Sequence, residues 1–471
     1  MHNPNWGVIG LGVMGTSLSR NLAQKGVPLA LYNRRVEGVE ENVAEKHCLT
    51  FPELKSALPF EDLNRFVDSL QAPRKIILML PAGTATNSIL KHLTPLLTKG
   101  DVVIEGGNSH FEDTEKRAKE LADVGIHFLG MGVSGGEEGA LTGPSLMVGG
   151  SESAYPLVSK ELETIAAKNL KGEPCCAFLG AGGAGHFVKI VHNGIEYAEM
   201  QLLAEVFELA GSDARHDFID LQKMFGEWLN TSSQSYLLEI THALLNYTEK
   251  GNPFINFIKD EASNKGTGAW ATAAGANLGT NNSMMASALY ARFNSSSKNE
   301  REKISKIFPR ARKDEKISLE ALKKAYDLSR LINHHQGFEM IREAALVYGW
   351  KINLSTIASL WSEGCIIKSD LMHSLIDIFK SNQTLLEYAP FIQKINAGLE
   401  SWELTLESSL KQHIPTSSMS SAWHYFLAIS QKQSSANLIQ AQRDYFGAHG
   451  FKRTDSSDDT LHHGPWNTDK N

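Results

Sequence analysis

The chain has 471 residues, 42% hydrophobic and 21% charged, with 46 Lys and Arg against 53 Asp and Glu for a formal charge of -7. That balance excludes a disordered, fibrous or collagen-like polypeptide, predicts several domains at roughly 100–200 residues each, and leaves no global basic excess for a nucleic acid. The cysteines Cys48, Cys175, Cys176 and Cys365 show neither CxxC nor metal-ligand spacing, so a reducing compartment and no metal are expected. No signal-peptide pattern and no apolar run of the ~18–20 residues of a membrane span is present, so a cytoplasmic globular protein without a membrane partner is expected.

In chain order, residues 6–9, 29–32, 75–80, 102–105 and 126–129 read as buried strands, rich in Val, Ile and Leu and bounded by Gly, Pro or Asn. Amphipathic stretches at 16–25, 84–97 and 112–124 alternate with them. This series predicts a parallel sheet with helices on both faces, an α/β Rossmann-type N-terminal domain over residues 1–182. From Gly185 to about Lys432 the apolar residues follow a helical period, as in Val188-Val191-Ile195-Ala198-Leu202. A large all-α domain is expected over 183–440, then a C-terminal tail over 441–471. The charged stretch 298–306, with Arg310, Arg312 and Lys313, reads as a solvated helix end or loop. Residues 454–471, rich in Asp, Ser, His and Asn, carry no core pattern.

Gly10-Leu11-Gly12-Val13-Met14-Gly15 matches GxGxxG where a first strand meets a first helix, the context in which a pyrophosphate sits on the helix N-terminus. At the end of the second strand, where an NAD enzyme usually has an acid, stand Asn33, Arg34 and Arg35. Two guanidiniums and no carboxylate there suit a 2′-phosphate, hence NADP; two solvated surface arginines are the alternative. A second match, Gly180 to Gly185, leads into one long helical pattern and reads as the joint between domains. The glycine-rich run Gly130 to Gly139 follows a strand and reads as a loop whose amides, with Ser134, could hold a carboxylate.

Lys189, His192, Asn193, Glu196 and Tyr197 fall at i, i+3, i+4, i+7 and i+8, one face of a helix. A solvated face carrying a Lys–Glu pair is the bland reading. His, Asn and Tyr beside that pair, starting four residues after a glycine loop, argue for a site.

These residues, together with Gly106-Gly107-Asn108-Ser109, Val133-Ser134-Gly135-Gly136-Glu137-Glu138-Gly139, Lys265-Gly266-Thr267-Gly268, Gly364-Cys365-Ile366-Ile367 and Gln440-Ala441-Gln442-Arg443-Asp444-Tyr445-Phe446-Gly447-Ala448-His449, make the chain resemble the 6-phosphogluconate dehydrogenases over nearly its whole length. The resemblance implies NADP-linked oxidative decarboxylation of 6-phosphogluconate to ribulose 5-phosphate and CO2. It implies Lys189 as general base and Glu196 as general acid, with Ser134, Gly135 and Gly136 on the substrate carboxylate. It places Asn108, His192 and Asn193 on the hydroxyls, and Tyr197, Lys265, Thr267 and Arg292 on the phosphate. Arg443 and His449 would come from the partner subunit of a homodimer with shared sites. The cofactor set would be Gly10 to Gly15 (with Leu11, Gly12, Val13 and Met14), Asn33, Arg34, Arg35, Asn108 and the loop Leu80-Pro81-Ala82. That loop usually reads Val-Lys-Ala in the family, Gly12 is often Ala, Ala269 stands where Lys is usual, and Val148 where Pro is frequent. Another β-hydroxyacid dehydrogenase of the 3-hydroxyisobutyrate type, or a catalytically silent NADP-binding protein, are the competing readings.

Overall fold

The computed structural model describes residues 3–263, 266–310, 316–381 and 383–467, and the chain divides into two compact units, Met1–Ala422 and Trp423–Asn471. In the first unit, short runs of branched apolar residues form β1 (Trp6–Ile9), β2 (Leu29–Tyr32), β3 (Leu58–Phe60), β4 (Lys75–Leu78), β5 (Val102–Glu105), β6 (His127–Ser134), β7 (Ser145–Gly150) and β8 (Cys176–Gly180). They make one eight-stranded sheet in the order β3-β2-β1-β4-β5-β6-β7-β8. β1, β2, β4 and β5 are buried along their whole length, which is why they read as continuous rather than alternating apolar runs. The strand order reverses between β1 and β4. The crevice outside the carboxyl ends of these strands is where open α/β sheets take ligands.

The sheet departs from the expected all-parallel arrangement. β7 runs antiparallel to β6. Ten residues separate the two strands, including the helix Gly136–Thr142, and a parallel crossover needs about a dozen or more. β3 escapes the apolar pattern because it is a three-residue edge strand with Pro59 at its centre, a position an edge tolerates. β6 extends to Ser134, so the run beginning at Gly130 is strand for five residues before it becomes a turn.

Those strand glycines have a packing role. A Cβ added at Gly132 would lie 2.5 Å from Lys189 Cβ, and one at Gly130 would lie 2.9 Å from His186 Nδ1. On the opposing surface, a Cβ at Gly185 would come within 2.5 Å of the carbonyl oxygens of Gly130 and Met147. Glycines on both surfaces let the helix Ala184–Ser212 lie directly on β6 and β7.

This 29-residue helix packs against the 30-residue helix Leu319–Tyr348. Both are buried around most of their circumference and joined by a buried Glu199–Arg330 ion pair at 2.9 Å. Helices Thr267–Leu278 and Ser283–Ser296 flank the first, and Ala389–Lys411 flanks the second. Glu205 reaches the first turn of the helix Ser417–Ile429, where it accepts from the amides of Ser418 and Met419 at 2.8 and 2.9 Å. Among the described residues, this helical region also holds a short antiparallel ribbon of Thr248–Glu249 and Asn252–Pro253. The charged stretch is a helix, Lys298–Ile307, with no buried residue and with Lys298 and Arg301 paired to Asp260. Arg312 and Lys313 lie outside the described residues.

The second unit contains the helix Ala436–Gly447, after which the chain turns back on itself through a bridge between Phe451 and His462. Its centre is polar. The fully buried Asp444 carboxylate accepts from the amides of Gly450 and Gly464 and from Trp466 Nε1, each at 2.9 Å, with His463 Nδ1 at 2.7 Å. A segment without apolar periodicity is thus ordered around one carboxylate, which no hydrophobic pattern announces.

Candidate active site

At the switch point, Gly10 has φ +92°, and a Cβ on it would lie 2.5 Å from the carbonyl oxygen of Met79 at the end of β4. Both the backbone conformation and the space admit only glycine. Gly12 differs: a Cβ there meets nothing within 4 Å. The helix Val13–Gln24 begins at Gly12, which supplies no side-chain cap to its first amides. Leu11 N–H donates to Asn33 Oδ1 at 3.1 Å, tying the glycine loop to the end of β2. Arg34 and Arg35 follow with side chains 73% and 63% exposed. An uncapped helix start over open space, with two exposed guanidiniums beside it, fits a dinucleotide carrying a 2′-phosphate. Leu80, Pro81 and Ala82 form the turn after β4 on the other side of the switch point, with Pro81 exposed and its carbonyl accepting from Thr86 Oγ1.

The polar face of the helix Ala184–Ser212 is not a solvated one. Lys189, His192, Asn193 and Tyr197 are all buried, and Glu196 retains 22% of its side-chain exposure. Lys189 Nζ lies 3.2 Å from His192 Nδ1, and His192 Nε2 lies 3.0 Å from Ser134 Oγ at the end of β6. Burial, reinforced by Lys189, holds the imidazole well below its ordinary pKa of 6.5, so the ring is neutral. With Lys189 as the donor to Nδ1, the ring's one N–H falls on Nε2, facing Ser134; Asn193 Oδ1 also lies 3.4 Å from Nδ1. The Trp361 ring packs edge-on against this imidazole at 5.6 Å.

Burial also lowers the pKa of Lys189, with the Glu196 charge pulling the other way. It raises that of Glu196, opposed by Lys189 and Arg292. A lysine pushed toward its neutral form and a carboxyl pushed toward its protonated form lie two turns apart on one helix, each shifted in the direction that a base or an acid requires.

Gly135 and Gly136 take φ of +114° and +64° in the turn after Ser134. Tyr197 meets two further elements. The Arg292 guanidinium lies 3.5 Å from the Tyr197 ring centre, and a Cβ on Gly268 would come within 2.5 Å of that ring. Thr267 is buried at the start of the Thr267–Leu278 helix. Asn108 is exposed in the loop after β5. Its neighbour Ser109 is anchored to Glu105, which Arg117 holds in a buried pair at 2.8 Å. Lys265 lies outside the described residues. Arg443 and His449 belong to the second unit and are exposed; Arg443 donates to Gln440 at 3.2 Å.

Sequence reasoning missed two features. The chain after Arg35 turns back at Gly38 (φ +71°), bringing Glu40 and Glu41 beside the arginines. The lone glycine among polar residues was the available signal. The packing role of Gly130 and Gly132 had none, since glycines in a strand and in a loop look alike.

A nucleotide-type sheet with an open glycine loop, beside a buried lysine and a carboxyl on one helix, defines a nicotinamide-nucleotide-dependent dehydrogenase. Family models agree: residues 5–180 match the NAD binding domain of 6-phosphogluconate dehydrogenase and residues 185–466 match its C-terminal domain. The chain belongs to the 6-phosphogluconate dehydrogenase family. The decarboxylating 6-phosphogluconate dehydrogenase of Lactococcus lactis subsp. lactis is 40% identical over 100% of both chains, and that of Escherichia coli is 39% identical over 98% of both. The structure of the Plasmodium falciparum 6-phosphogluconate dehydrogenase, described with its cofactor NADP+ and with its substrate 6-phosphogluconate, superimposes with a TM-score of 0.91 at 32% identity. It covers 98% of this chain and 99% of its own.

Proposed function

We propose that this chain oxidises and decarboxylates 6-phosphogluconate to ribulose 5-phosphate and CO2. The observation that carries the reading is the buried Lys189, bonded to a neutral His192 and two helical turns from Glu196. NADP, held by Gly10 to Gly15, Asn33, Arg34 and Arg35, would supply the hydride acceptor for C3 of the substrate. Lys189, its pKa lowered toward the neutral form by burial, takes the proton of the C3 hydroxyl as that hydride leaves. The product is a β-keto acid. Its C1–C2 bond breaks, CO2 departs, and the electron pair moves onto the C3 oxygen to give an enediol. The lysine, now protonated, hydrogen-bonds that oxygen and stabilises the developing charge. Glu196 delivers a proton to the carbon that becomes C1 of the product, and burial raises its pKa toward the protonated form this step needs.

Ser134, Gly135 and Gly136 hold the carboxylate that is lost. Asn108, His192 and Asn193 hold the hydroxyls. Tyr197, Thr267, Arg292 and Lys265 hold the phosphate, with Arg443 and His449 supplied by the second subunit of a homodimer. Exposed Tyr290, Phe293, Ile304 and Ile307 on consecutive helices are apolar area that a partner subunit would cover. Among the described residues no helix is long and apolar enough to cross a membrane. The acidic net charge supports an enzyme without a nucleic-acid partner, and the few cysteines, without pairing or metal-ligand spacing, support a cytoplasmic one. The test is nucleotide reduction with 6-phosphogluconate, comparing NADP with NAD and trapping CO2. Stoichiometric CO2 and NADPH are expected; reduction without CO2 would redirect the assignment to a non-decarboxylating β-hydroxyacid.

A further inference from the structure

The two arginines at the end of β2 do not stand alone. Val36 N–H donates to Glu40 O at 2.7 Å and Glu40 N–H to Val36 O at 2.8 Å, closing a tight turn through Gly38. The turn lays two carboxylates back over the cationic pair. Arg34 Nε lies 3.7 Å from Glu40 Oε2, and Arg35 donates to Glu41 Oε1 at 3.2 Å. Glu40 Oε2 also accepts from Asn33 Nδ2 at 3.1 Å, and the same Asn33 holds the glycine loop through Leu11 N–H. The place where a dinucleotide fold chooses between a ribose hydroxyl and a 2′-phosphate therefore contains two carboxylates as well as two guanidiniums. Its charge cancels pair by pair.

We infer that Glu40 and Glu41 set the cofactor selectivity of this chain, lowering its preference for NADP over NAD by neutralising Arg34 and Arg35, with Glu40 the acceptor for the free ribose hydroxyl of NAD. The inference rests on the dehydrogenase reading above. A 2′-phosphate must share or displace two carboxylates to reach the guanidiniums, whereas an unphosphorylated ribose offers Glu40 a donor and leaves both ion pairs intact. The four side chains range from 36% to 73% exposed, so each pair is solvent-screened and its effect is modest.

The experiment is calorimetric binding of NADP and of NAD to the full chain and to Glu40→Gln, Glu41→Gln and the double variant, at low and high salt. Glutamine at position 40 keeps an oxygen for Asn33, so the loop geometry is preserved while the charge is removed. Each single variant is expected to bind NADP about two- to fivefold more tightly and the double variant about tenfold, the scale of exposed ion pairs. NAD affinity is expected to fall about two- to fivefold in Glu40→Gln and to stay level in Glu41→Gln. The gain for NADP should fade toward ~1 M salt, where the screening length drops to about 3 Å. NADP and NAD affinities that move in parallel, an unchanged ratio, or a gain that survives high salt would each overturn the inference while leaving the dehydrogenase reading in place. If neither nucleotide binds the parent chain, both fall together.

Discussion

Replacing Gly132 by alanine separates the scaffold's role from that of the catalytic groups, because Gly132 carries no chemistry of its own. The added Cβ would sit 2.5 Å from Lys189 Cβ and 3.0 Å from its Cγ. Carbon atoms in contact prefer about 3.5–4.0 Å, so something must yield by about 1 Å. The near end of the lysine side chain cannot swing aside as its tip could. The helix Ala184–Ser212 or β6 has to move, and Lys189 Nζ moves relative to Ser134, His192 and the substrate. A misplacement of that size is expected to lower kcat about 10²-fold, and the overpacking to cost about 1–3 kcal/mol of stability. Steady-state turnover with 6-phosphogluconate and NADP measures the first, and denaturant unfolding the second. Binary NADP affinity should stay within about twofold, because the glycine loop after β1 lies elsewhere on the sheet. If kcat stays within about threefold of the parent and stability is unchanged, close glycine packing does not position the base and the reasoning fails.

Glu196→Gln removes the charge that pulls the Lys189 pKa upward against burial. The acidic limb of the hydride-transfer rate, read in single-turnover NADPH formation, should therefore move to lower pH while full turnover drops about 10²- to 10⁴-fold; a limb that moves up in pH contradicts the pairing. Glu205 is pushed by burial to a pKa of about 7 from 4.5, despite the two amides it caps. A raised folded-state pKa means stability present below about pH 4.5 and lost as pH rises through 7, amounting to about 3 kcal/mol. Glu205→Gln should flatten this part of the pH dependence when unfolding free energies at pH 5 and pH 8 are compared with the parent; an unchanged slope refutes it. Arg443→Ala should raise KM for 6-phosphogluconate about ten- to a hundredfold, the value of a charge-assisted hydrogen bond, with NADP binding unaffected. An unchanged KM removes Arg443 from the site.

Much of the site was legible because its chemistry is local in sequence. The spacing of Lys189, His192, Asn193, Glu196 and Tyr197 is a helical face whatever surrounds it, and the glycine loop needs only a strand before it and a helix after. What could not be read was which of two meanings a residue took. Gly130 and Gly132 looked like loop glycines because nothing local distinguishes a glycine that frees the backbone from one that makes room for a helix arriving over fifty residues later. The acids at 40 and 41 belong to no motif, and only the turn through Gly38 brings them onto Arg34 and Arg35.

The amino-acid pattern by itself determined five of the eight sheet strands and the helices between them, the place of the nucleotide loop and the group of residues that share one helical face. These follow from the 3.6-residue and two-residue periods and from the backbone freedom of glycine, all properties of neighbouring residues. The tertiary structure alone decided that this face is buried, and with it the chemistry. A lysine and a glutamate on an exposed helix are a solvated ion pair. Enclosed between a sheet and other helices, the same two side chains lose hydration, and their pKa values shift toward the neutral forms that the proposed base and acid need.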